Sequence, residues 1–382
     1  MPAIIFAIDS LLGGGAEKVI LTLAAGFAEK GYKSHLITFE PGCDHVLPDH
    51  LHLHVLDESH CKGSRTRRLV TLASWFDQKV EEITQQDGHV LGVISSLTFT
   101  DKVLHYSKFP RILFCIHSHL SNYWKVSEGN FIRRFKRLRK LKKLYARKHL
   151  VCVSYGIAED VNRLGIQPSS IRTIYNPFDI EKIRDLSQAP LSTLLPAEYL
   201  LSVGRFKHVK RHDRLLRAYA KSNVSTKLVI MGKGSPEEEA RLRRLVLEWD
   251  LKEKVIFLGF LPNPYPYIRH AKALLLSSDF EGLPTVIIEA LICGTPVVST
   301  DCPSGPREIL TGDQSRFLVP VDDEDMFSQK ICEVLQSPPE LDEYSLARFR
   351  KDLIVSHYED ILLSLAKLPS KKQSSQQSIL SS

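Results

Sequence analysis

Apolar residues along this chain fall into short runs separated by stretches of helical period. The first run, Ala3–Ile8, leads into a glycine cluster and then an amphipathic helix predicted from about Ala16 to Lys30. Similar runs follow at Ser34–Phe39, Val90–Ser95, Arg111–Ile116 and His149–Ser154, with helical stretches between most of them. The segment Asp179 to Glu198 carries two prolines and no clear period, so it is expected to be loose. A second alternating series begins at Tyr199–Gly204. It continues through Lys227–Met231, Val255–Phe260, Ala273–Ser277, Pro296–Ser299 and Arg316–Pro320. Short strands that are apolar throughout are buried on both faces, which predicts an α/β fold with two doubly wound parallel sheets. The expected organisation is a Rossmann-like domain over 1–185, a second over 186–345, a helix over 346–368 returning to the first, and a disordered polar tail over 369–382. Ligands of such sheets bind beyond the carboxyl ends of the strands, which directs attention to the cleft between the domains.

Composition narrows the class. The chain is 43% hydrophobic and 25% charged, as in water-soluble globular proteins, and no run approaches the roughly 18 apolar residues of a membrane-spanning helix. The start, MPAIIFAIDS, has no basic region and is not read as a secretory signal. Seven scattered cysteines without CxxC spacing predict reduced thiols in a cytosolic protein and no zinc site. The net charge of +7 is concentrated: ten Lys or Arg and no acid lie between Arg133 and Lys148. Phe131, Phe135, Leu138, Leu141 and Tyr145 recur among them at helical spacing, predicting a helix with one apolar and one cationic face. Such a helix is either a solvated surface element or a contact for an anionic surface, lipid or nucleic acid. The acidic run Asp322–Asp325 precedes an amphipathic stretch and reads as a helix N-terminal cap rather than a metal site.

Four places carry candidate chemistry. In FEGLPTVIIEALICGTPVVS a carboxylate, Glu289, interrupts a helix that is otherwise apolar. A buried carboxylate needs partners. It can accept hydrogen bonds from a vicinal diol such as a ribose, or be a structural glutamate satisfied by an arginine or a backbone amide. Gly282 and Pro284 mark the turn that aims the free N–H groups of this helix into the cleft, an anion site. In SVGRFKHVKRHDRLL, Arg205 ends a strand and Lys210 opens the next helix, two cations suited to a diphosphate. In LLGGGAEKVI, Gly13, Gly14 and Gly15 permit close backbone approach, but the spacing is neither GxGxxG nor a P-loop. Glu17 in the first helical turn is a favourable dipole contact. In RILFCIHSHL, His117 follows a strand directly and faces the same cleft, with His119 close by.

Glu281-x7-Glu289 resembles the signature of the retaining glycosyltransferases of family 4, which have the GT-B fold. The resemblance runs along nearly the whole chain: GGGAEKVI, VCVSYGIAEDV, TIYNPFDI, VGRFKHVKRHDRLLRAY and STDCPSGPREIL are each similar to family motifs. It implies that Arg205 and Lys210 hold the donor diphosphate and Glu289 the ribose. Glu281, with the backbone of Gly282, Leu283, Pro284 and Thr285, is then expected to contact the transferred sugar and its phosphates. His117 would sit near the sugar's 6-hydroxyl, Gly14 and Gly15 near the reacting centre, and Gly259 to Leu261 near the base. No metal and no cofactor are implied; the substrate is a nucleotide-diphosphate sugar, with a UDP-sugar favoured.

The expected activity is transfer of a hexose, with retention, to a saccharide or lipid-linked saccharide acceptor in lipopolysaccharide, capsule or surface glycan synthesis. A transferase with a soluble acceptor such as a sugar phosphate, or a non-catalytic sugar-nucleotide-binding assembly protein, is the alternative. Work on lipid-linked acceptors would place the protein in the cytoplasm at the inner face of the membrane, held by the 131–148 basic helix to anionic lipid. Nucleic acid is not an expected partner, since no recognised binding module is present.

Overall fold

The structure, a computed structural model, describes residues 2–48, 50–126 and 128–367. The tail expected over 369–382 lies outside them. The first sheet contains β1 (Ala3–Ile8), β2 (Lys33–Thr38), β3 (Leu51–Val55), β4 (Val90–Ser96), β5 (Ile112–Ile116), β6 (His149–Cys152) and β7 (Ser170–Thr173). Their spatial order is β3-β2-β1-β4-β5-β6-β7, all parallel. The second sheet contains β8 (Tyr199–Val203), β9 (Lys227–Met231), β10 (Val255–Gly259), β11 (Ala273–Leu276), β12 (Val297–Thr300) and β13 (Leu318–Val319), in the order β10-β9-β8-β11-β12-β13. The central strands are apolar because helices cover both faces: every residue of β1, β4 and β5 is buried. Strand order reverses between β1 and β4 and again between β8 and β11, which opens a crevice at each point.

Two edge strands, β3 and β7, were not expected. LHLHV and SIRT carry polar residues because one side faces water, so neither forms an apolar run. The segment expected to be loose contains the helix Ile180–Ser187, started by Asp179, whose Oδ1 accepts from Lys182 N at 3.2 Å. Of Arg316–Pro320 only Leu318–Val319 pairs as strand, and Gly312–Phe317 is a tight 3₁₀ stretch. The acidic run does cap a helix: Asp323 Oδ1 accepts from Met326 N at 2.8 Å, and the helix runs Glu324–Gln336.

The helix Lys351–Ala366 lies on the first sheet beside the helix Gly15–Glu29. Ile354, Val355, Tyr358 and Leu362 share a core with Phe6, Ile20 and Leu113. Polar clasps frame that core: Lys351 Nζ donates to Glu29 at 2.6 Å and Tyr32 OH to Glu359 at 2.7 Å. The cysteines are free thiols, and burial pushes the Cys115 and Cys152 thiols up to about 12.

The basic helix spans Phe131–Tyr145 and is capped by Asn130, which accepts from Arg133 N at 3.0 Å. Its apolar face packs only in its C-terminal half. Leu141, Leu144 and Tyr145 are buried, and Tyr145 OH donates to the buried Asp101 at 2.7 Å. Phe131 and Phe135, two of the apolar positions at helical spacing, stack on each other in solvent, 79% and 57% exposed, beside Ile132 at 62%.

Candidate active site

Four loops meet at the two crevices. The first, after β1, enters the helix Gly15–Glu29; the second, after β5, carries His117. The third, after β8, carries Arg205 and Lys210, and the fourth, after β11, carries Glu281 and enters the helix Thr285–Ile292. The last two are tied together. Ser277 Oγ donates to the carbonyls of Lys210 and Arg211, each at 2.9 Å, and Asp279 N donates to Val209 O at 2.8 Å. Arg214, buried behind them, binds Ser277 O at 2.9 Å and Asp279 Oδ1 at 2.9 Å. The cationic and acidic loops of the second domain are therefore joined into one hydrogen-bonded unit.

The two helix starts face each other. A methyl group added to Gly15 would stand 3.1 Å from Thr285 Oγ1. Neither Gly14 nor Pro284, the residues before them, supplies a side-chain cap, so the first-turn amides remain available to an anion. The guanidinium of Arg205 and the carboxylate of Glu17 occupy the space a Cβ on Gly14 would need, so a side chain there would have to displace them. Gly282 is pressed against the first domain more closely still: a Cβ on it would overlap the carbonyl of His117. Leu283 and Pro284 are buried behind it.

Each predicted charged group already has a partner. Arg205 binds Glu17 Oε1 at 3.2 Å. Lys210 Nζ binds Glu281 Oε1 at 2.6 Å, and Ser278 Oγ donates to the same oxygen at 2.6 Å. Glu289, 4% exposed, accepts from Lys18 Nζ at 2.9 Å and lies 3.4 Å from Tyr265 OH. Burial works against the Lys18 ammonium, but the Glu289 carboxylate overrides it and holds the Lys18 pKa above its ordinary value. Glu289 is thus satisfied as a structural glutamate would be, by a lysine of the opposite domain rather than an arginine or amide. The Arg205–Glu17 and Lys18–Glu289 pairs both cross the cleft.

His117 sits beside Ser96, with Nε2 3.1 Å from Ser96 Oγ, and burial pushes its pKa down to about 4, so the ring is neutral near pH 7. His119 turns away from the cleft toward Asp160, with Nδ1 3.4 Å from Asp160 Oδ2. Gly259 adopts positive φ at the end of β10, and the exposed Phe260 after it lies under Lys233 Nζ at 4.9 Å from the ring centre.

Sequence reasoning overlooked Lys18, Tyr265 and Glu308. Lys18 stands in the first turn of a helix that begins at the cleft, a placement that signals a cleft-facing charge. Tyr265 follows Pro264 at the start of the helix Tyr265–His270, which makes it a first-turn residue. Glu308 comes from the PSGPREIL stretch and caps the helix Tyr155–Arg163 of the other domain, accepting from Tyr155 N at 2.9 Å and Gly156 N at 2.8 Å. Two motifs far apart in sequence thereby form one interdomain clasp.

Residues 13–182 match the family described as Glycosyltransferase Family 4, and residues 188–350 match Glycosyl transferases group 1. A Campylobacter jejuni protein, N-acetylgalactosamine-N,N'-diacetylbacillosaminyl-diphospho-undecaprenol 4-alpha-N-acetylgalactosaminyltransferase, is 30% identical over 339 residues, 86% of this chain and 89% of that protein. The lipopolysaccharide 1,6-galactosyltransferase of Salmonella typhimurium is 32% identical over 179 residues, 43% of this chain and 48% of that one. Among solved structures, the Anabaena protein HepE in complex with UDP and glucose superposes with a TM-score of 0.69 at 17% identity, covering 100% of both chains. The lipopolysaccharide outer core galactosyltransferase WaaB in its apo form gives 0.66 at 22% identity, covering 95% of this chain and 99% of that one. The chain belongs to the family 4 type of glycosyltransferases and has the GT-B fold.

Proposed function

We propose that this glycosyltransferase moves a hexose, with retention, from a nucleotide-diphosphate donor to a saccharide or lipid-linked saccharide in surface glycan synthesis. The observation that carries the reading is the pair of uncapped helix N-termini facing each other across the cleft, with Arg205 and Lys210 beside them. Four positive features around one gap suit a diphosphate that gains charge as it leaves, without a metal ion. The relatives whose names specify lipid-linked or lipopolysaccharide acceptors support the acceptor class. The complex of HepE with UDP supports a UDP-sugar as donor.

In this mechanism the bond between the anomeric carbon and the β-phosphate oxygen breaks. The acceptor oxygen attacks from the same face, and its proton passes to the departing phosphate. Glu289 exchanges Lys18 for the ribose hydroxyls. Glu281, released from Lys210 once the diphosphate engages that lysine, faces the positive charge developing on the sugar. Neutral His117 orients a sugar hydroxyl, with the Gly282 backbone packed against its carbonyl. The protein contributes positioning and fixed charge rather than a nucleophile. The helix Phe131–Tyr145 presents cations and an exposed apolar crest to an anionic membrane surface, which brings the cleft to acceptors held there.

The test is a panel of nucleotide sugars assayed for release of nucleotide diphosphate, with and without saturating EDTA, with the product anomer read by NMR. Release from a UDP-sugar that persists in EDTA, with retained configuration, is the expected result. Inversion, or activity abolished by EDTA and restored by Mg²⁺, would reject the corresponding part of the reading.

A further inference from the structure

Outside the cleft, a cavity of about 400 Å³ is lined by Glu58, Arg65, Arg68, Leu69, Phe99 and Lys102 together with Leu72. Its cations come from two elements. Arg65 and Arg68 lie in the first turn of the helix Arg65–Asp87, capped by Ser64, and Lys102 lies on the helix Thr98–Leu104 after β4. Arg68 is paired with Glu58 at 3.2 Å. Among the described residues, neither Arg65 nor Lys102 has a carboxylate oxygen within 4.0 Å. Burial and the charge of Arg65 both lower the Lys102 pKa, although Asp9 and Asp101 at longer range act against this. The half-buried Lys102 and the exposed Arg65 line the same cavity without a carboxylate partner at salt-bridge distance, so both can turn to one anion.

The cavity also has a direction. Phe99 and Thr100 open the helix Thr98–Leu104, and Thr100 donates to Asp9 through N at 2.8 Å and Oγ1 at 2.7 Å, just beyond β1 at the edge of the cleft. On the other side Lys102 Nζ lies 5.0 Å from the centre of the Trp124 ring. Trp124 ends the short helix Leu120–Tyr123, a few residues before the exposed crest of Phe131, Ile132 and Phe135. The cationic cavity therefore lies between the sugar-transfer cleft and the apolar crest.

We propose that the Arg65–Arg68–Lys102 cavity binds the phosphate or diphosphate of a lipid-linked acceptor, with the saccharide reaching the cleft and the lipid leaving toward the crest. This rests on the lipid-linked acceptor reading above. Two arginines and a lysine on two helices match a diphosphate by bidentate and point-charge contacts. Phe99 and Leu69 supply an apolar wall for the first lipid carbons.

The experiment is calorimetry of the full chain with farnesyl diphosphate as probe, in excess UDP so that the cleft is occupied. The variants are Arg65→Gln with Lys102→Gln, and Lys102→Arg as the charge-conserving control. The expected result is at least about tenfold weaker binding in the double variant, roughly 1.4 kcal/mol, near-normal binding in Lys102→Arg, and unchanged UDP affinity as proof of folding. Inorganic diphosphate is expected to bind more weakly than the prenyl probe and to show the same loss. Sedimentation with phosphatidylglycerol vesicles should be equal for wild type and double variant. A matching loss of vesicle binding would make the cavity a phospholipid headgroup site and overturn the proposal. Equal binding of farnesyl diphosphate by wild type and double variant overturns the cavity assignment and leaves the acceptor class standing. A wild type that ignores farnesyl diphosphate overturns the acceptor class itself.

Discussion

Lys18 Nζ stands 2.9 Å from Glu289 Oε1, joining the first turn of the helix that follows β1 to the middle of the helix that follows β11. The carboxylate side chain is 6% exposed and the lysine 36%. Losing one partner of a buried pair leaves the other charge desolvated, at a cost of several kcal/mol. Lys18→Met should therefore leave Glu289 in need of a donor, and ribose hydroxyls can meet that need. Calorimetry with UDP is expected to show binding in Lys18→Met at least as tight as wild type, and weaker binding in Glu289→Gln. The opposite order would mean that Lys18, not Glu289, contacts the nucleotide.

Gly282 offers a test of the domain contact. A methyl there collides with the backbone carbonyl of His117, which cannot rotate away as a flexible side chain would. Gly282→Ala should push the two domains apart at this point while leaving each core intact. Turnover should drop by about 100-fold or more, as expected when reacting groups are displaced by roughly 1 Å, with little change in Tm. Near-normal turnover would show that the closed contact is not needed for transfer.

The distribution of what could be read in advance follows burial. The central strands were legible because both faces are covered, so their sequences are apolar without interruption. Edge strands β3 and β7, half in water, gave no such signal. The candidate residues Gly14, Gly15, Arg205, Lys210, Glu281, Gly282 and Thr285 were legible because unusual residues stand where a strand meets a helix, and Glu289 because a carboxylate interrupts an apolar helix. Their pairing was not. Lys18 with Glu289 and Arg205 with Glu17 are separated by 271 and 188 positions, and only the docking of two domains decides them. The basic helix left two readings open for a related reason: helical period identifies an apolar face but not whether anything lies opposite it.

The exposed crest of that helix separates two kinds of membrane attraction. Cations near an anionic surface contribute about 1 kcal/mol each and are screened by salt, whereas buried aromatic rings are not. Replacing Phe131, Ile132 and Phe135 by Ser should abolish the salt-resistant part of binding to phosphatidylglycerol vesicles. Replacing four of the ten Lys or Arg between 133 and 148 by Gln should abolish the salt-sensitive part. If neither set changes sedimentation, this helix is a solvated surface element.

His212 makes stability depend on pH. It is 4% exposed with its ring edge-on to Phe206 at 5.2 Å, and burial lowers its pKa to about 4. The unfolded chain, with a histidine near 6.5, binds the proton first as pH falls. Stability from this group is therefore complete above about pH 6.5 and lost toward pH 4, by at most about 1.4 kcal/mol per pH unit. Asp101 acts in the opposite sense, because burial raises its carboxyl to about 7 and protonation favours the folded state. The difference between proteins, rather than the wild-type slope, is the measure. In urea unfolding, His212→Phe should lose about 1 kcal/mol less than wild type between pH 7.5 and 5.5. Parallel losses would show that His212 stays unprotonated in the unfolded chain or titrates normally in the folded one.

Glu281 differs from Glu289 in when it acts. One of its oxygens holds Lys210 Nζ and Ser278 Oγ, each at 2.6 Å. If the diphosphate draws Lys210 away, the carboxylate is left facing the sugar, where positive charge builds only as the bond to phosphate breaks. An interaction of that kind lowers the barrier without tightening the ground state, so Glu281→Gln should reduce kcat by about tenfold for each 1.4 kcal/mol lost. Donor KM should change little, and UDP, which lacks the sugar, should bind the variant as well as or better than wild type, since Lys210 is freed. Glu289→Gln should raise donor KM with kcat nearly kept, because ribose is unchanged by the reaction. Steady-state kinetics on both variants decides the matter. A Glu281 variant that loses nucleotide affinity while keeping kcat would reverse the two assignments, and normal kinetics in both would reduce the carboxylates to structural partners of Lys210 and Lys18.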